Sequence, residues 1–530
     1  MIKHNIIMQN KNGSYHFPLF IQAMLKPEFY DHPVDTCELI ETHISWVILT
    51  GDFVYKIKKP INLGFVDFST LEKRKFYCDE ELRLNRRLAP NIYLDVIPIS
   101  GTSENPVLEG KEKAFEYTVK MQQFSHNMQL DQVLARNELR HDMVESFANL
   151  IAEFHQHIDI ADSTSHFGEP EQVYQPAKEN FIQIRDLISD KSKIDLLSKI
   201  ERWTEDSFNE IKNIFDQRKE KGFIRECHGD LHLRNLAWHE NKPLAFDCLE
   251  FNENFRWIDV ASEIAFLIMD LDVNNQPEFA HHFLNKYLEL TGDYEGCSVL
   301  RFYLVYRTMV RAKVDAIRAA QEGISQQESD EANAEIVNYL QLALTYTHKI
   351  KPFIIITHGM SASGKSTISQ PLLEKLGAIR IRADVERKRL FNIKAEQNSS
   401  ANIQQGIYTK QATHETYSKL LELTQRIIDA GLPVIVDATF STIEQRTLFK
   451  KIASQKQVRF IILNFITSEE TLKQRIRNRT KDVSDADITV LENQIKNWHP
   501  IEQNEEKYSF SINTEEQLDI EELLSRLKLD

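Results

Sequence analysis

The nine residues from Gly359 to Thr367 read Gly-Met-Ser-Ala-Ser-Gly-Lys-Ser-Thr and meet the spacing G-x-x-x-x-G-K-[ST]. Such a loop lets the backbone N–H groups of Gly359, Ser361, Ala362, Ser363 and Gly364 close around phosphate oxygens at the positive end of a helix. Lys365 then reaches the β- and γ-phosphates, and Ser366, followed by Thr367 at the helix start, offers a hydroxyl to Mg2+. A second group carries different chemistry. The run Cys227-His228-Gly229-Asp230 is followed by Asn235 five positions after Asp230, and Asp247 comes twelve positions after that. This spacing suits a catalytic acid with two metal ligands: Asp230 would orient or deprotonate an acceptor hydroxyl, and Asn235 and Asp247 would hold Mg2+. His228 is expected to brace the loop.

Each centre needs further groups. Val434-Ile435-Val436 lead into Asp437, which at the end of a buried strand would hold Mg2+ through water, or else would cap the turn before Ala438. Asp384 and Arg387 stand three apart at a helix start, so both would face one cleft. There the carboxylate would take a proton from an acceptor hydroxyl and the guanidinium would bind acceptor or phosphoryl group; the other reading is an exposed ion pair. Arg475 and Arg479, four apart, would share a helix face and close over the phosphates as a lid, or would lie on a solvated charged helix. For the other centre, Lys56 is placed to bind the α/β-phosphates, with Lys58 on the same strand face as second choice. Glu81 is its expected helix partner, with Glu80 second. Tyr306, Arg307, Arg311 and Lys313 would line an anionic acceptor site or form a charged helix face.

The elements that must carry these residues follow from periodicity. Two β-rich runs, residues 46–50 and 53–58, flank Gly51-Asp52 and predict a hairpin. A helix over 71–88 follows, then a strand over 115–121, and from there helices dominate: 142–157, 196–218, 299–320 and 335–348, the polar run 321–329 being a turn. Beyond residue 350 the pattern alternates, with strands over 353–356, 378–382, 433–437 and 458–465 and helices over 366–376, 408–430, 443–454 and 469–479. Alternating β and α implies a parallel sheet with helices on both faces. The predicted organisation is therefore α+β over 1–350, with an N-lobe over about 30–125 and a helical C-lobe over 126–350, then α/β over 351–530.

At 530 residues the chain exceeds the size of a single core. Apolar residues make up 42% and charged residues 27%, ordinary for a globular protein, and no apolar run approaches the length of a membrane span. The opening Met1-Ile2-Lys3 has no signal-peptide character, so a cytoplasmic protein without a membrane partner is expected. The five cysteines have no ligand spacing and predict reduced thiols. The net charge of −15 argues against a generic nucleic-acid scaffold, though a local basic patch would still admit one.

On the residues of its loop, the 384–387 element, the 434–440 segment and the lid arginines, the second half resembles P-loop kinases, a group that includes polynucleotide and gluconate kinases. His228-Gly229-Asp230 with Asn235 and Asp247 resembles the aminoglycoside phosphotransferase family, whose fold is protein-kinase-like. Two departures stand out: no glycine-rich loop precedes Trp46, and the motif at Asp247 continues Cys248-Leu249-Glu250 where a glycine is usual. The order of the halves is similar to that of bacterial bifunctional proteins with a phosphotransferase-like domain followed by a P-loop domain. The resemblance implies ATP or GTP with Mg2+ as cofactors and a small-molecule hydroxyl as acceptor. A 5′-hydroxyl nucleic-acid kinase and an ATP sensor with one inactive half are the alternatives. It also implies that Asp259 organises the fold and takes no part in chemistry.

Overall fold

The structure, a computed structural model, describes residues 17–64, 66–321, 323–393, 409–478 and 487–529. Contacts group them into two units: one runs to Gln172 and resumes over Asp216–Leu267, and the other comprises Val173–Phe215 and the chain from Ile268 onward. This grouping does not follow chain order at residue 350, because helices that precede it pack with the parallel sheet that follows it.

In the first unit, β1 (Glu38–Glu41), β2 (Ser45–Leu49), β3 (Phe53–Lys58), β4 (Tyr93–Gly101), β5 (Pro106–Leu108) and β6 (Glu116–Gln122) form an antiparallel sheet in the order β1-β2-β3-β6-β4-β5. The hairpin expected around Gly51 is β2–β3, with Leu49 opposite Val54 and Gly51 at φ +96°. A strand too short and charged to stand out, β1, precedes it and places Lys56 on the third strand of the sheet. Helix α1 (Leu19–Met24) covers the aromatic core around Trp46 and Tyr55. Helix α2 (Leu71–Asn85) starts at Thr70, whose hydroxyl accepts from Lys73 N–H, and ends three residues short of the expected Leu88. It packs on β4 and β6, burying Cys78, Glu81, Leu84 and Asn85 along one face at helical spacing.

Four helices follow, α3 (Leu130–Ala135), α4 (His141–His157), α5 (Pro170–Leu187) and α6 (Lys191–Glu220), and then short strands β7 (Ile224–Glu226), β8 (Leu236–His239), β9 (Lys242–Ala245) and β10 (Trp257–Asp259). The loop between β7 and β8 carries Asp230 and Asn235. The β8–β9 turn uses Glu240 and Asn241, both at positive φ as a tight hairpin requires, and delivers Asp247 just past β9. Helix α7 (Val260–Val273) then begins, and Asp259 at its head is paired bidentately with Arg218 at 2.6 and 2.7 Å while accepting from Ala261 N–H, the organiser's role implied by resemblance.

The second unit contains most of α5 and α6, together with α8 (Pro277–Thr291), α9 (Cys297–Ala319) and α10 (Gln326–Thr347). The last of these starts well before the expected Glu335, because Ser325 and Glu328 form a reciprocal capping box inside the polar run read as a turn. The α9 residues Tyr306, Arg307, Arg311 and Lys313 are buried or half-buried between helices, with Arg311 donating to the Tyr339 hydroxyl of α10 at 3.4 Å, so they are not a solvated face. Strands β11 (Phe353–His358), β12 (Ile379–Arg382), β13 (Val434–Asp437), β14 (Arg459–Ile466) and β15 (Ser509–Asn513) form an entirely parallel sheet in the order β12-β13-β11-β14-β15. Around it lie α11 (Lys365–Leu376), α12 (Ala383–Leu390), α13 (Lys410–Asp429), α14 (Ile443–Lys456), α15 (Glu469–Arg477), α16 (Ile488–Lys496) and α17 (Ile520–Leu527). All six residues of central β11 are buried, as a strand covered on both faces demands. Its register with β13 sets the loop after His358 beside Asp437 at the carboxyl ends of the strands, where doubly wound sheets bind ligands.

Helix α8 packs against the outer strand β12. The Asn285 side chain donates to Ala378 C=O at 3.0 Å and accepts from Arg380 N–H at 2.7 Å.

Candidate active sites

In the first unit, Lys56 on β3 places its Nζ 2.7 Å from Asp247 Oδ1 and 2.7 Å from Glu81 Oε1. Two residues along the strand, Lys58 points to the same side and reaches Glu81 Oε2 at 2.7 Å, and it also pairs with Glu250. Glu81 thus bridges both lysines, whereas Glu80 pairs with Arg83. Burial alone would lower the Lys56 pKa, but Asp247, Glu81 and Glu250 raise it well above the usual value, so it stays a cation. Burial pushes Glu81 and Asp247 up, but Lys56 and Lys58 at Glu81, and Lys56 at Asp247, more than offset this and hold both below the ordinary carboxylate range. For Glu250, burial wins and its pKa is raised.

Asp247 adopts φ +65°, rare for a residue with a side chain and common where a fold over-determines a functional position. Its N–H donates to the Tyr93 hydroxyl at 3.1 Å, and the next N–H, of Cys248, donates to Asn85 Oδ1 at 2.9 Å. Asp230 accepts from Asn235 Nδ2 at 2.9 Å and lies 3.3 Å from His232 Nε2. Burial opposes its ionisation, yet His232 and its hydrogen bond hold the carboxyl well below the usual range. With its amide hydrogens directed to Asp230, Asn235 has its carbonyl oxygen as the atom able to ligate a cation.

His228 bonds the Phe246 C=O at 2.9 Å through Nε2, which must therefore carry the proton, and its Nδ1 faces Asp230 N–H at 3.3 Å. Below it, the buried carboxylate of Glu263 accepts from the N–H groups of His228 at 2.9 Å and Gly229 at 2.6 Å, and from His155 at 3.0 Å. Burial raises the Glu263 pKa, but these partners bring it down to about 2. Gly229 sits at φ +87°, and a Cβ there would lie 2.7 Å from Phe255 C=O.

In the second unit, the 359–367 loop lines a cleft of about 730 Å3. Gly359 is required by space, since a Cβ would come within 2.5 Å of Ser363 Oγ and 2.8 Å of Phe465 Cβ. Ala362 at φ +65° and Gly364 at φ +89° turn the loop so that α11 starts at Lys365, whose Nζ reaches back to Met360 C=O at 2.8 Å. Ser366 Oγ donates to Asp437 Oδ2 at 2.7 Å, joining the two expected metal groups. Thr357 fixes the end of β13 by donating to Ala438 C=O at 2.7 Å and accepting from Ala438 N–H at 3.0 Å.

Asp384 and Arg387 pair at 2.8 Å on α12 and both line the cleft, so the pair is not an exposed one. Arg475 also lines it, donating to Ala362 C=O at 3.3 Å and to Thr514 C=O at 2.8 Å, which ties α15 to the loop. Arg479 lies outside the described residues. Gln494 on α16 accepts from Ser361 N–H at 2.8 Å and donates to Ser361 Oγ at 2.9 Å. The His358 ring stacks on Trp498 at 4.2 Å, and burial brings its pKa down to about 4.

Comparison with known proteins bears on both sites. The profile described as "Phosphotransferase enzyme family" matches residues 126–300, and that described as "AAA domain" matches 354–501. The chain joins a phosphotransferase-family domain to a P-loop domain. This fusion is a kinase. It is 27% identical over 458 residues to proteins of Mycobacterium tuberculosis and Mycobacterium bovis described as uncharacterized, over 86% of this chain and 89% of theirs. Similar solved structures include a Plasmodium vivax ethanolamine kinase (11% identity, TM-score 0.39, 63% of this chain and 90% of that one). A Janibacter sugar kinase is also similar (19% identity, TM-score 0.26, 33% of this chain and 91% of that one). Among the described residues no helix of the kinase is long and apolar enough to cross a membrane.

The geometry brings Lys56, Glu81 and Asp247 together, Asp230 with Asn235, and Ser366 with Asp437. Sequence reasoning missed Glu263, Tyr93, Asn85 and Gln494. A lone acid in the apolar run 260–269 was a signal for Glu263; the others carry none, because their partners are far away in the chain.

Proposed function

We propose that this kinase transfers the γ-phosphoryl group of ATP to hydroxyl groups of small molecules at two separate nucleotide centres, each with Mg2+. The supporting observation is that each compact unit has its own lysine and its own acid for the purpose: Lys56 with Asp247 in one, Lys365 with Asp437 in the other. The donor sets are hard oxygens, as Mg2+ requires. In the first cluster the acids Glu81, Asp247 and Glu250 outnumber Lys56 and Lys58 by three to two, leaving negative charge for a cation to balance. In the second, Ser366 and Asp437 share a hydrogen bond beside the loop. When bound, Mg2+ supplies charge neutralisation on the β- and γ-phosphates.

At the first centre Lys56, oriented by Glu81, binds the α/β-phosphates, and Asn235 and Asp247 are the metal ligands. Asp230, ionised at neutral pH, accepts the acceptor hydroxyl's proton as its oxygen bonds to the γ-phosphorus and ADP departs. At the second, the loop amides and Lys365 hold the phosphates, Asp384 is the base, and Arg387 and Arg475 lie where charge develops. The domains in this reading are residues 1–350 and 351–530.

Labelled ATP, Mg2+ and fractionated metabolites test it: Lys365→Ala should abolish one labelled product and Asp247→Ala the other. Loss of both products from either change, or no labelled metabolite at all, would refute two independent centres.

A further inference from the structure

Helix α8 lies inside the segment matched by the phosphotransferase profile, yet its Glu289 reaches the metal acid of the P-loop centre through one arginine. Glu289 is 8% exposed, with Oε1 3.2 Å from Arg382 Nη1 and Oε2 3.8 Å from Arg380 Nη2. Arg382 ends β12, lines the cleft, and sets its Nε 3.9 Å from Asp437 Oδ2, the oxygen that accepts from Ser366. One guanidinium therefore stands between two buried carboxylates. Its closer contact is with Glu289, and Asp437 feels it at longer range.

Resting on the two-centre reading above, we propose that Glu289 is a positioning residue for the P-loop centre, drawing Arg382 off Asp437 so that Asp437 keeps its charge for Mg2+. A cation and a guanidinium compete for the same carboxylate oxygen. If Glu289 lost its charge, Arg382 would shift its pairing to Asp437, and Mg2+ would have to displace it. Glu289 also pairs with Arg380, which donates to Ser369 Oγ at 3.1 Å on α11, so the carboxylate steadies the helix that carries Ser366.

The test uses the full chain in an Asp247→Asn background, which silences the metal site of the first centre. Binding of a fluorescent non-hydrolysable ATP analogue is titrated with Mg2+, taking the part that Lys365→Ala removes. Glu289→Gln, which keeps shape and hydrogen-bonding capacity, should raise the Mg2+ concentration for half-saturation by about tenfold. Glu289→Gln with Arg382→Gln should restore it to within about twofold of the parent, an outcome that simple misfolding cannot produce. An unchanged Mg2+ requirement in Glu289→Gln, or a double variant as impaired as the single, overturns the proposal while the two-centre reading stands. Absence of any Lys365-dependent binding in the parent overturns both.

Discussion

Replacing Lys58 by Met should destabilise the first unit in a way that depends on pH. The side chains of Lys58 and Glu250 are 0% and 1% exposed and form an ion pair, so removing the cation leaves Glu250 buried beside the Glu81 carboxylate without its nearest counter-charge. The carboxyl then takes a proton on folding. Against an unfolded pKa of about 4.3, that proton costs at most about 3.7 kcal/mol at pH 7 and about 1 kcal/mol at pH 5, less what the raised Glu250 carboxyl already costs the parent. The sign follows from a folded-state pKa above the unfolded one: the group does no harm below its unfolded pKa and takes stability away as pH rises. Urea or thermal unfolding across pH 5–7 reads the effect, with a drop in Tm at pH 7 of up to roughly 15 °C. Lys58→Met with Glu250→Leu should recover most of it, since a buried pair replaced by apolar residues is often neutral. A cost that stays flat with pH, or a double variant worse than the single, would refute the reasoning. The same change at Lys56 should cost less stability, because Asp247 is 18% exposed and retains some solvent, while abolishing ATP binding at that centre.

Glu263→Gln should remove about 3 kcal/mol at pH 7, because its folded pKa of about 2 lies below the unfolded value. That contribution exists above about pH 4 and disappears as pH falls towards 2, so acid unfolding of parent and variant should converge there. Asp230→Asn should lower kcat at the first centre by about 10^2- to 10^4-fold, with nucleotide affinity unchanged in a binding titration; equal loss in both would contradict its role as base. Gly359→Ala should eliminate nucleotide binding at the second centre, since its Cβ would meet Ser363 and Phe465 too closely; retained binding in an equilibrium titration would show that the loop can yield.

The candidate-site residues legible from sequence were those whose spacing is local. The 359–367 loop, and Asp230 with Asn235, need only a turn and a few positions to come together. Asp437 was legible because a buried strand leads into it. Glu81 was separable from Glu80 by the apolar residues that follow it on one helix face. The fold was equally readable where periodicity was strong, as in β2–β3, α4 and the alternation after β11. It was opaque at β1, four residues with two charges, and at α5, whose internal Pro176 masks a helical pattern. Glu250 was visible as a departure from glycine, but its partner, Lys58, is 192 positions away and only the folded chain joins them. Gln494 and Glu289 lie on helices whose local sequence says nothing about phosphate loops.

The carboxamide of Asn285 substitutes for a missing neighbour. Strand β12 is the outermost of its sheet, and a side chain from α8 satisfies the carbonyl of Ala378 just before it and the amide of Arg380 within it, as a further strand would. A fragment beginning at residue 351 would forfeit that cover and present an unguarded ladder of β-branched residues, Ile379 and Ile381, as a template for another copy of itself. The preceding helices thus guard that edge, and a fragment starting at residue 351 should self-associate more readily than the full chain.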